Sequence, residues 1–393
     1  MNNHLLGKRA SVFAATIAMA AFSDCSHAFQ FNVDDTKVEI GGFLKMDAMY
    51  DMGDIKAGSK GAGNLMLFSN VGTHNSNNVG NQTTMHANES RLFVKTSSLV
   101  AGSELTTMLE GDFWGGSYRM RQAYGSWQGI SAGQMWTNFN SFVGSTPTLD
   151  FTGPVGRAGV IRQPLVSYTT GPFTIALESP NTDGSSANTN YSYISTVSSA
   201  GVVTYDTNRR NSLPDLTMRY ESRAHGINYS VGALGRQVAY DSGTSSDTAD
   251  GYGVYGAFNF QVVPGTTLRF HTTYGNGIGT YMGNNPAPAA YLSDGQLQTI
   301  PAWGVAAGLS QKLNKASINF ALSHSHADWS DATHAGLLTS TLDKDRNLMH
   351  VNYIWEPASR VKYGLELAWM NKETVAGDKG NLYRIHASWI YSF

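Results

Sequence analysis

The sequence predicts an all-β chain, closed into an antiparallel transmembrane barrel of about 16 strands with its third external loop folded inward. Three observations predict it. Apolar and polar residues alternate in segment after segment. The connections between those segments alternate in length, short then long. The chain ends on an alternating aromatic strand whose last residue is Phe393.

The first residues read differently from all that follow. Lys8 and Arg9 precede an apolar run from Ala10 to Phe22, and Ser26-His27-Ala28 places small residues where a signal peptidase reads. That is the three-part pattern of a secretory leader. The run is about 13 residues, too short for a membrane anchor, which needs ~20. Asp24 stands before Cys25, where a lipoprotein would need a small residue. Residues 1–28 are therefore expected to be a signal peptide that is removed, and 29–393 a single domain. Cys25 is the only cysteine. It leaves with the leader, so neither a disulfide nor a thiolate is expected in what remains. At about 365 residues, that chain is long enough to hold itself without such staples.

Lys and Arg number 27 against 29 Asp and Glu, a formal net charge of −2. This balance argues against nucleic acid as a partner. Charged residues make up 14% of the chain, against ~25% in ordinary soluble domains. Aromatics reach 11% and glycines number 42, which suits a long β protein with many turns. No segment after the leader is apolar for ~18 residues, so no transmembrane helix is expected.

Val361 to Trp369 shows the strand pattern plainly. Val361, Tyr363, Leu365, Leu367 and Trp369 fall on one face, and Lys362, Gly364, Glu366 and Ala368 on the other. Aromatics lie toward the ends of the apolar face and leucines between them, as on a lipid-facing strand. The same pattern recurs in Val38 to Tyr50, Leu105 to Phe113 and Leu268 to Tyr274. In order, the expected strand cores are 36–50, 85–99, 103–114, 117–128, 130–138, 160–170, 172–179, 213–222, 226–238, 251–262, 265–276, 300–313, 316–328, 345–356, 359–370 and 381–393.

Short links fall near Ala101-Gly102, Gly129, Gly171-Pro172, Ala224-His225, Pro264-Gly265, Asn314-Lys315 and Pro357-Ala358. Long ones span 51–84, 139–159, 180–212, 239–250, 277–299, 329–344 and 371–380, with a tight turn at Gly115-Gly116 as the exception. Short turns on one side and long loops on the other are the habit of outer-membrane barrels. In lipid only helices and closed barrels pair every backbone group, and helical spans are lacking. The outer membrane of a Gram-negative bacterium is the compartment this implies. Lipid and lipopolysaccharide are then expected neighbours. Tyr383, Ile385, Ala387, Trp389, Tyr391 and Phe393 share one face of the last strand, which resembles the signal read by the barrel-assembly machinery.

Several segments resemble the DcaP-like outer-membrane porins. They are Lys37-Val-Glu-Ile-Gly-Gly-Phe-Leu-Lys-Met-Asp47, Arg119-Met-Arg-Gln-Ala-Tyr-Gly125, Gly133-Gln-Met-Trp136, Glu178-Ser-Pro-Asn181, Leu213-Pro-Asp215 and Tyr391-Ser-Phe393. Their order along the chain carries the resemblance. It implies a homotrimer of 16-stranded barrels passing small anionic compounds, dicarboxylates among them. The founding members carry a periplasmic helical extension before the barrel. Here the first strand follows soon after the expected cleavage site, so that extension is expected to be absent.

Pore width and lining charge set what a channel passes. The 139–159 connection is the third external loop by count, and in general porins that loop narrows the pore. It carries Phe139, Phe142, Asp150, Phe151 and Arg157, with Arg162 just after it. Parity sends Arg91 and Lys95 inward from the second strand and Arg119 and Arg121 from the fourth, with Met120 and Tyr124 on the other face. It sends Arg219 inward from the eighth strand and Arg236 from the ninth. Glu110, Asp112, Glu178 and Asp215 are the acidic candidates. Clustered guanidinium groups would orient carboxylates. The competing reading is that these charges pair across the lumen and stiffen the barrel.

Three motifs are discounted. His324-Ser-His326 with Asp328 suggests a metal or hydrolase site, yet no third positioned group is visible in sequence. Gly275-Asn-Gly277-Ile-Gly279 mimics a dinucleotide loop without a helix after it. The Ser/Thr/Asn-rich stretch from Ser185 to Thr207 reads as a surface loop. The function expected is passive diffusion of small hydrophilic solutes, anions favoured, with no enzyme activity, cofactor or metal. The alternatives are an outer-membrane barrel enzyme of the phospholipase or protease type and a plugged, adhesin-like barrel.

Overall fold

A strand with lipid on one side and a polar interior on the other must alternate its side chains. The last strand does so without a break. Tyr383, Ile385, Trp389 and Tyr391 are exposed, while Arg384, His386, Ser388 and Ile390 are buried. The computed structural model describes residues 28–59, 66–180, 193–198, 203–205, 208, 210 and 212–393. The expected leader up to His27, Cys25 with it, and most of the stretch from Ser185 to Thr207 lie outside the described residues.

Eighteen extended stretches form one sheet. Two of them, Gln82–His86 and Arg91–Val100, both pair with the same side of Thr36–Gly53 and make one long strand interrupted by a bulge. Phe29–Val33 pairs with the start of Thr36–Gly53 and continues the line of the C-terminal strand. The barrel is therefore closed and sixteen-stranded. We number it β1 (Thr36–Gly53), β2 (Gln82–His86 with Arg91–Val100), β3 (Ser103–Asp112), β4 (Arg119–Trp127), β5 (Ile130–Trp136), β6 (Arg162–Thr170), β7 (Phe173–Glu178) and β8 (Asp215–Ala224). The second half is β9 (Ile227–Asp241), β10 (Ser246–Val263), β11 (Thr266–Asn276), β12 (Pro301–Lys312), β13 (Ala316–Ala327), β14 (Asp343–Ala358), β15 (Val361–Thr374) and β16 (Lys379–Ser392). Each strand pairs antiparallel with the next, and β16 closes on β1 from Phe43↔Ser392 to Gly53↔Leu382. The Phe393 amide donates to the Gly42 carbonyl at 3.1 Å, and the Gly42 amide donates back at 3.2 Å.

Turn chemistry fixes the short side. Ala101-Gly102, Gln128-Gly129 and His225-Gly226 all have positive φ at both residues, the mirror-image turn that matches strand twist. The link expected at Ala224-His225 thus sits one residue later, where glycine takes the second left-handed position. The link expected at Pro357-Ala358 is displaced to Ser359-Arg360, past a register shift in β14. On the long side, β9 and β10 stay paired as far as Asp241↔Ser246, so the expected loop 239–250 shrinks to a tight tip. Val238, Ala239 and Tyr240 are all buried there, so the ladder continues where the alternation fades. The expected 371–380 loop shortens in the same way, with Glu373↔Lys379 still in register.

The long loops carry structure of their own. Tyr193–Val197, Val203–Tyr205, Ala290–Ser293 and Gln296–Thr299 form a small four-stranded sheet that joins two of them. Beneath it an apolar cluster packs loop residues Phe139, Ile278, Tyr281 and Trp329 against inward-facing wall residues such as Leu234, Tyr255 and Ala302. The outside is apolar in the middle, with Leu365 and Leu367 each 53% exposed while Glu366 between them is fully buried. Tyrosine and tryptophan pairs, Tyr252 with Tyr274 and Trp355 with Tyr363, mark the two ends of that belt. Among the described residues no helix is long and apolar enough to cross a membrane.

A charge placed in the middle of the belt should be expensive. Leu367→Arg is expected to lower stability by about 2–4 kcal/mol. Urea unfolding of the protein in lipid vesicles measures this, and an unchanged midpoint would mean that Leu367 does not face lipid.

Candidate functional site

The segment between β5 and β6 must satisfy its own backbone groups, because it has no ladder partner along most of its length. The wall supplies them. The Asn138 amide donates to Glu178 on β7 at 2.9 Å. Tyr255 on β10 donates its hydroxyl to the Asn140 carbonyl at 3.1 Å, and Asn259 donates to Val143 at 2.6 Å. Asn352 on β14 donates to Pro147 at 2.9 Å. The Leu149 amide donates to Glu366 on β15 at 2.9 Å, and Lys45 on β1 donates to the Leu149 carbonyl at 3.0 Å. Ser323 on β13 and His271 on β11 accept from the Val155 and Ala158 amides, each at 3.0 Å. All of these wall side chains lie on the buried faces of their strands. Gly156 shows how close the segment comes: a Cβ there would sit 2.7 Å from the Cα of Gly304 on β12, and its φ is +72°. Glycine on both sides permits the contact.

A second segment, 277–289, meets the first. The Gly156 amide donates to Gly283 at 2.8 Å, Gly283 donates to Arg157 at 2.7 Å, and Gly159 donates to Tyr281 at 2.7 Å. The glycines that mimic a dinucleotide loop turn the chain here, with positive φ at Gly277 and Gly279.

Between these segments and the wall lies a cavity of about 380 Å³. Its charged lining is Lys45, Arg91, Arg121, Arg157 and Arg346 against Glu89 and Asp150. Trp136, Phe142, Phe43 and Phe151 supply the apolar part.

Basic residues gather on β2 to β4. Arg119 chelates Asp112 with contacts of 2.9 and 2.8 Å. Arg121 bridges Glu110 and Asp112 at 2.8 Å each, and Arg91 is 3.7 Å from Glu110. Three cations thus share two carboxylates. Arg121 also lies 5.0 Å over the Phe151 ring. Arg162 stacks 4.5 Å over Trp136, its Nη1 buried and unbonded, with no carboxylate within 4 Å among the described residues. Arg157 is held by uncharged oxygens, those of Ser145 at 2.6 Å and of Pro154 and Thr152 at 3.0 Å. Burial lowers its pKa only to about 10, so it is charged at neutral pH.

The β1 side is acidic. Asp47, Asp51, Glu89, Asp150 and Glu366 meet Lys45, Arg384, His386 and His350. Arg384 chelates Asp51 at 2.7 and 2.9 Å and reaches Asp150 at 3.5 Å. Lys45 is 3.2 Å from Asp47 and also pairs with Glu89. His386 meets Asp47 at 2.8 Å and His350 meets Glu366 at 3.1 Å.

The expected site residues therefore divide. Arg91, Arg121, Asp150 and Arg157 line the cavity, and Arg119, Glu110, Asp112 and Arg162 stand directly behind it. Glu178, Asp215, Arg219 and Arg236 instead anchor the inner segments. Asp215 accepts from Tyr281 at 2.9 Å with Arg236 at 3.6 Å, and Arg219 donates to Asn140 at 3.1 Å. Lys95 is opposite Met108, toward the short-turn end of β2, and does not line the cavity. Parity misplaced Tyr124. A bulge at Arg121 puts Glu110 opposite Gln122 and Met108 opposite Tyr124, so Tyr124 turns inward with them. Sequence reasoning did not count Lys45, Glu89, Arg346 or Arg384 among the pore-lining candidates. Inward parity on β14 and β16 was the signal available for the two arginines.

A family model described as DcaP outer membrane protein matches residues 23–393. Among solved structures, the outer membrane channel DcaP of Acinetobacter baumannii superposes with a TM-score of 0.74 at 20% identity, covering 93% of this chain and 99% of that one. Outer-membrane OmpT of Vibrio cholerae gives 0.55 at 12% identity, covering 93% and 100%. An anion-selective porin from Comamonas acidovorans gives 0.52 at 11% identity, covering 91% and 100%. No curated protein matches the chain.

Removing one member of a buried ion pair strands the other. Arg384→Ala is expected to cost about 3–5 kcal/mol, because Asp51 and Asp150 lose their shared cation. Guanidinium unfolding followed by tryptophan fluorescence reads it. A loss under ~1 kcal/mol would show that water or a neighbouring cation replaces the guanidinium.

Proposed function

We propose that this outer-membrane porin, which belongs to the DcaP outer membrane protein family, favours small anions, carboxylates and dicarboxylates among them, in passive diffusion. The observation that carries the reading is the cavity lining of five basic side chains against two acidic ones. A guanidinium presents parallel donors that match a carboxylate, and it stays ionised at any working pH. In a narrow wet passage fixed charges act through a dielectric below that of bulk water, so an uneven lining biases which ions pass. The aromatic surfaces of Trp136 and Phe142 would accept the carbon frame of an organic anion.

The same reading includes removal of residues 1–28 as a leader, assembly as a homotrimer, and recognition of the C-terminal strand by the barrel-assembly machinery. It assigns the chain no catalysis. Deleting Phe393 removes the terminal aromatic and the two hydrogen bonds to Gly42. Most of the folded protein should then disappear from the outer-membrane fraction, and a normal yield would refute the signal.

Selectivity is tested by the reversal potential of the purified protein in a planar bilayer under a salt gradient. The wild type should prefer anions. Arg119→Ala with Arg121→Ala leaves Glu110 and Asp112 short of their cations, and should shift the permeability ratio toward cations by roughly fivefold, about 1 kcal/mol. A cation-selective wild type, or a double variant with an unchanged potential, sinks the reading.

A further inference from the structure

His324 and His326 are two residues apart on β13 and share its outward face. Register places Asp345 of β14 opposite His326 and Asn347 opposite His324. Asp345, 19 residues beyond His326 in sequence, is the third group that the motif lacked. Asp328, the acid adjacent in sequence, is engaged instead by Ser330, whose amide and hydroxyl donate to it at 3.0 and 2.7 Å.

One oxygen, Asp345 Oδ1, lies 2.7 Å from His326 Nδ1 and 3.5 Å from His324 Nε2. The tautomer of His324 is set by its other nitrogen. Asn347 donates its Nδ2 to Asn371 Oδ1 at 3.0 Å, which leaves Asn347 Oδ1 to accept from His324 Nδ1 at 2.8 Å. The lone pair of neutral His324 is therefore on Nε2, aimed at a carboxylate oxygen. Two lone pairs facing at that distance repel unless a proton or a metal ion lies between them. A histidine oriented through its second nitrogen by an amide carbonyl is the usual outer support of a metal ligand.

We propose that His324, His326 and Asp345 form a binding site for a divalent transition-metal ion, zinc(II) by preference. Imidazole nitrogen with carboxylate oxygen suits zinc, and three protein ligands leave a fourth position for water. The ligand atoms lie within 4.8 Å of one another. A tetrahedral zinc needs its ligand atoms about 3.3 Å apart, which small rotations of the partly exposed rings supply. Binding displaces the proton from His326 Nδ1. Trp303 packs on both rings, with centroids at 4.9 and 5.8 Å, and restricts the other rotamers. Lys344 contacts the opposite oxygen, Asp345 Oδ2, at 3.5 Å, and is shared with Glu373 at 3.3 Å, so Oδ1 stays available. A second group of similar composition, Asp47 with His86 and Glu89, does not qualify. The Lys45 ammonium already occupies it, paired to both carboxylates.

The test is calorimetric titration of zinc chloride into the folded, tag-free full chain in detergent, with a cobalt(II) absorption spectrum as a second readout. One ion per chain should bind in the micromolar range, and cobalt should give the visible bands of a four-coordinate nitrogen and oxygen site. His326→Ala should weaken binding at least tenfold and abolish those bands. Asp345→Asn, of equal size, should weaken it similarly and carries the test if the histidine variant does not fold. Asp328→Asn should change nothing. Failure of the wild type to bind one zinc per chain, or wild-type affinity retained in His326→Ala and Asp345→Asn, overturns the site.

Discussion

In hydrocarbon an unpaired backbone N–H or C=O costs several kcal/mol, and the bilayer offers nothing to pair with it. The seam between β16 and β1 meets that constraint here. It runs for eleven residue pairs and ends on the exchange between Phe393 and Gly42. Every other feature presupposes it. An open sheet would have two edges in lipid, and its alternation would define no interior. Once the seam closes, each strand's second face becomes a wall, and side chains from β1, β10 and β15 come to face one another.

The same constraint acts again inside the wall. The segment between β5 and β6 has no ladder partner along most of its length, so its amides and carbonyls need partners. Wall side chains provide them, and this accounts for the buried Glu178, Glu366 and Asn352 and for the half-buried Asn259. These residues are structural by geometry, although their chemistry resembles that of a binding site. Their engagement leaves the cavity lining to other groups, chiefly Arg91, Arg121, Arg157 and Lys45.

Ion pairs in this interior serve two purposes at once. Arg91, Arg119 and Arg121 share only Glu110 and Asp112, three cations on two carboxylates, and Arg157 and Arg162 have no carboxylate within 4 Å among the described residues. Pairing between neighbouring strands and an excess of positive charge thus coexist, because a shared carboxylate screens two guanidinium groups without cancelling both. The outward rim shows the converse. At His324 and His326 one carboxylate oxygen of Asp345 faces two imidazole nitrogens.

Strand number, strand order and lipid-facing residues were legible in the sequence, since a strand's period of two is local and the belt's hydrophobicity is strict. Val361 to Trp369 and Tyr383 to Phe393 needed no partner to be read. Where both faces are covered, as at Val238, Ala239 and Tyr240 of β9, the period faded and the strand ends were missed. A single bulge at Arg121 reversed the parity of Tyr124, and no local pattern announces a bulge. Which charges meet was beyond the sequence altogether. Asp150 finds Arg384 and His326 finds Asp345 through register and closure, which are properties of the assembled barrel. The sequence by itself determined that this chain would be a barrel and which residues would face lipid, because those depend on neighbours two positions away. Only the tertiary structure decided which inward groups line a cavity and which merely hold a loop, because that depends on contacts between residues hundreds of positions apart.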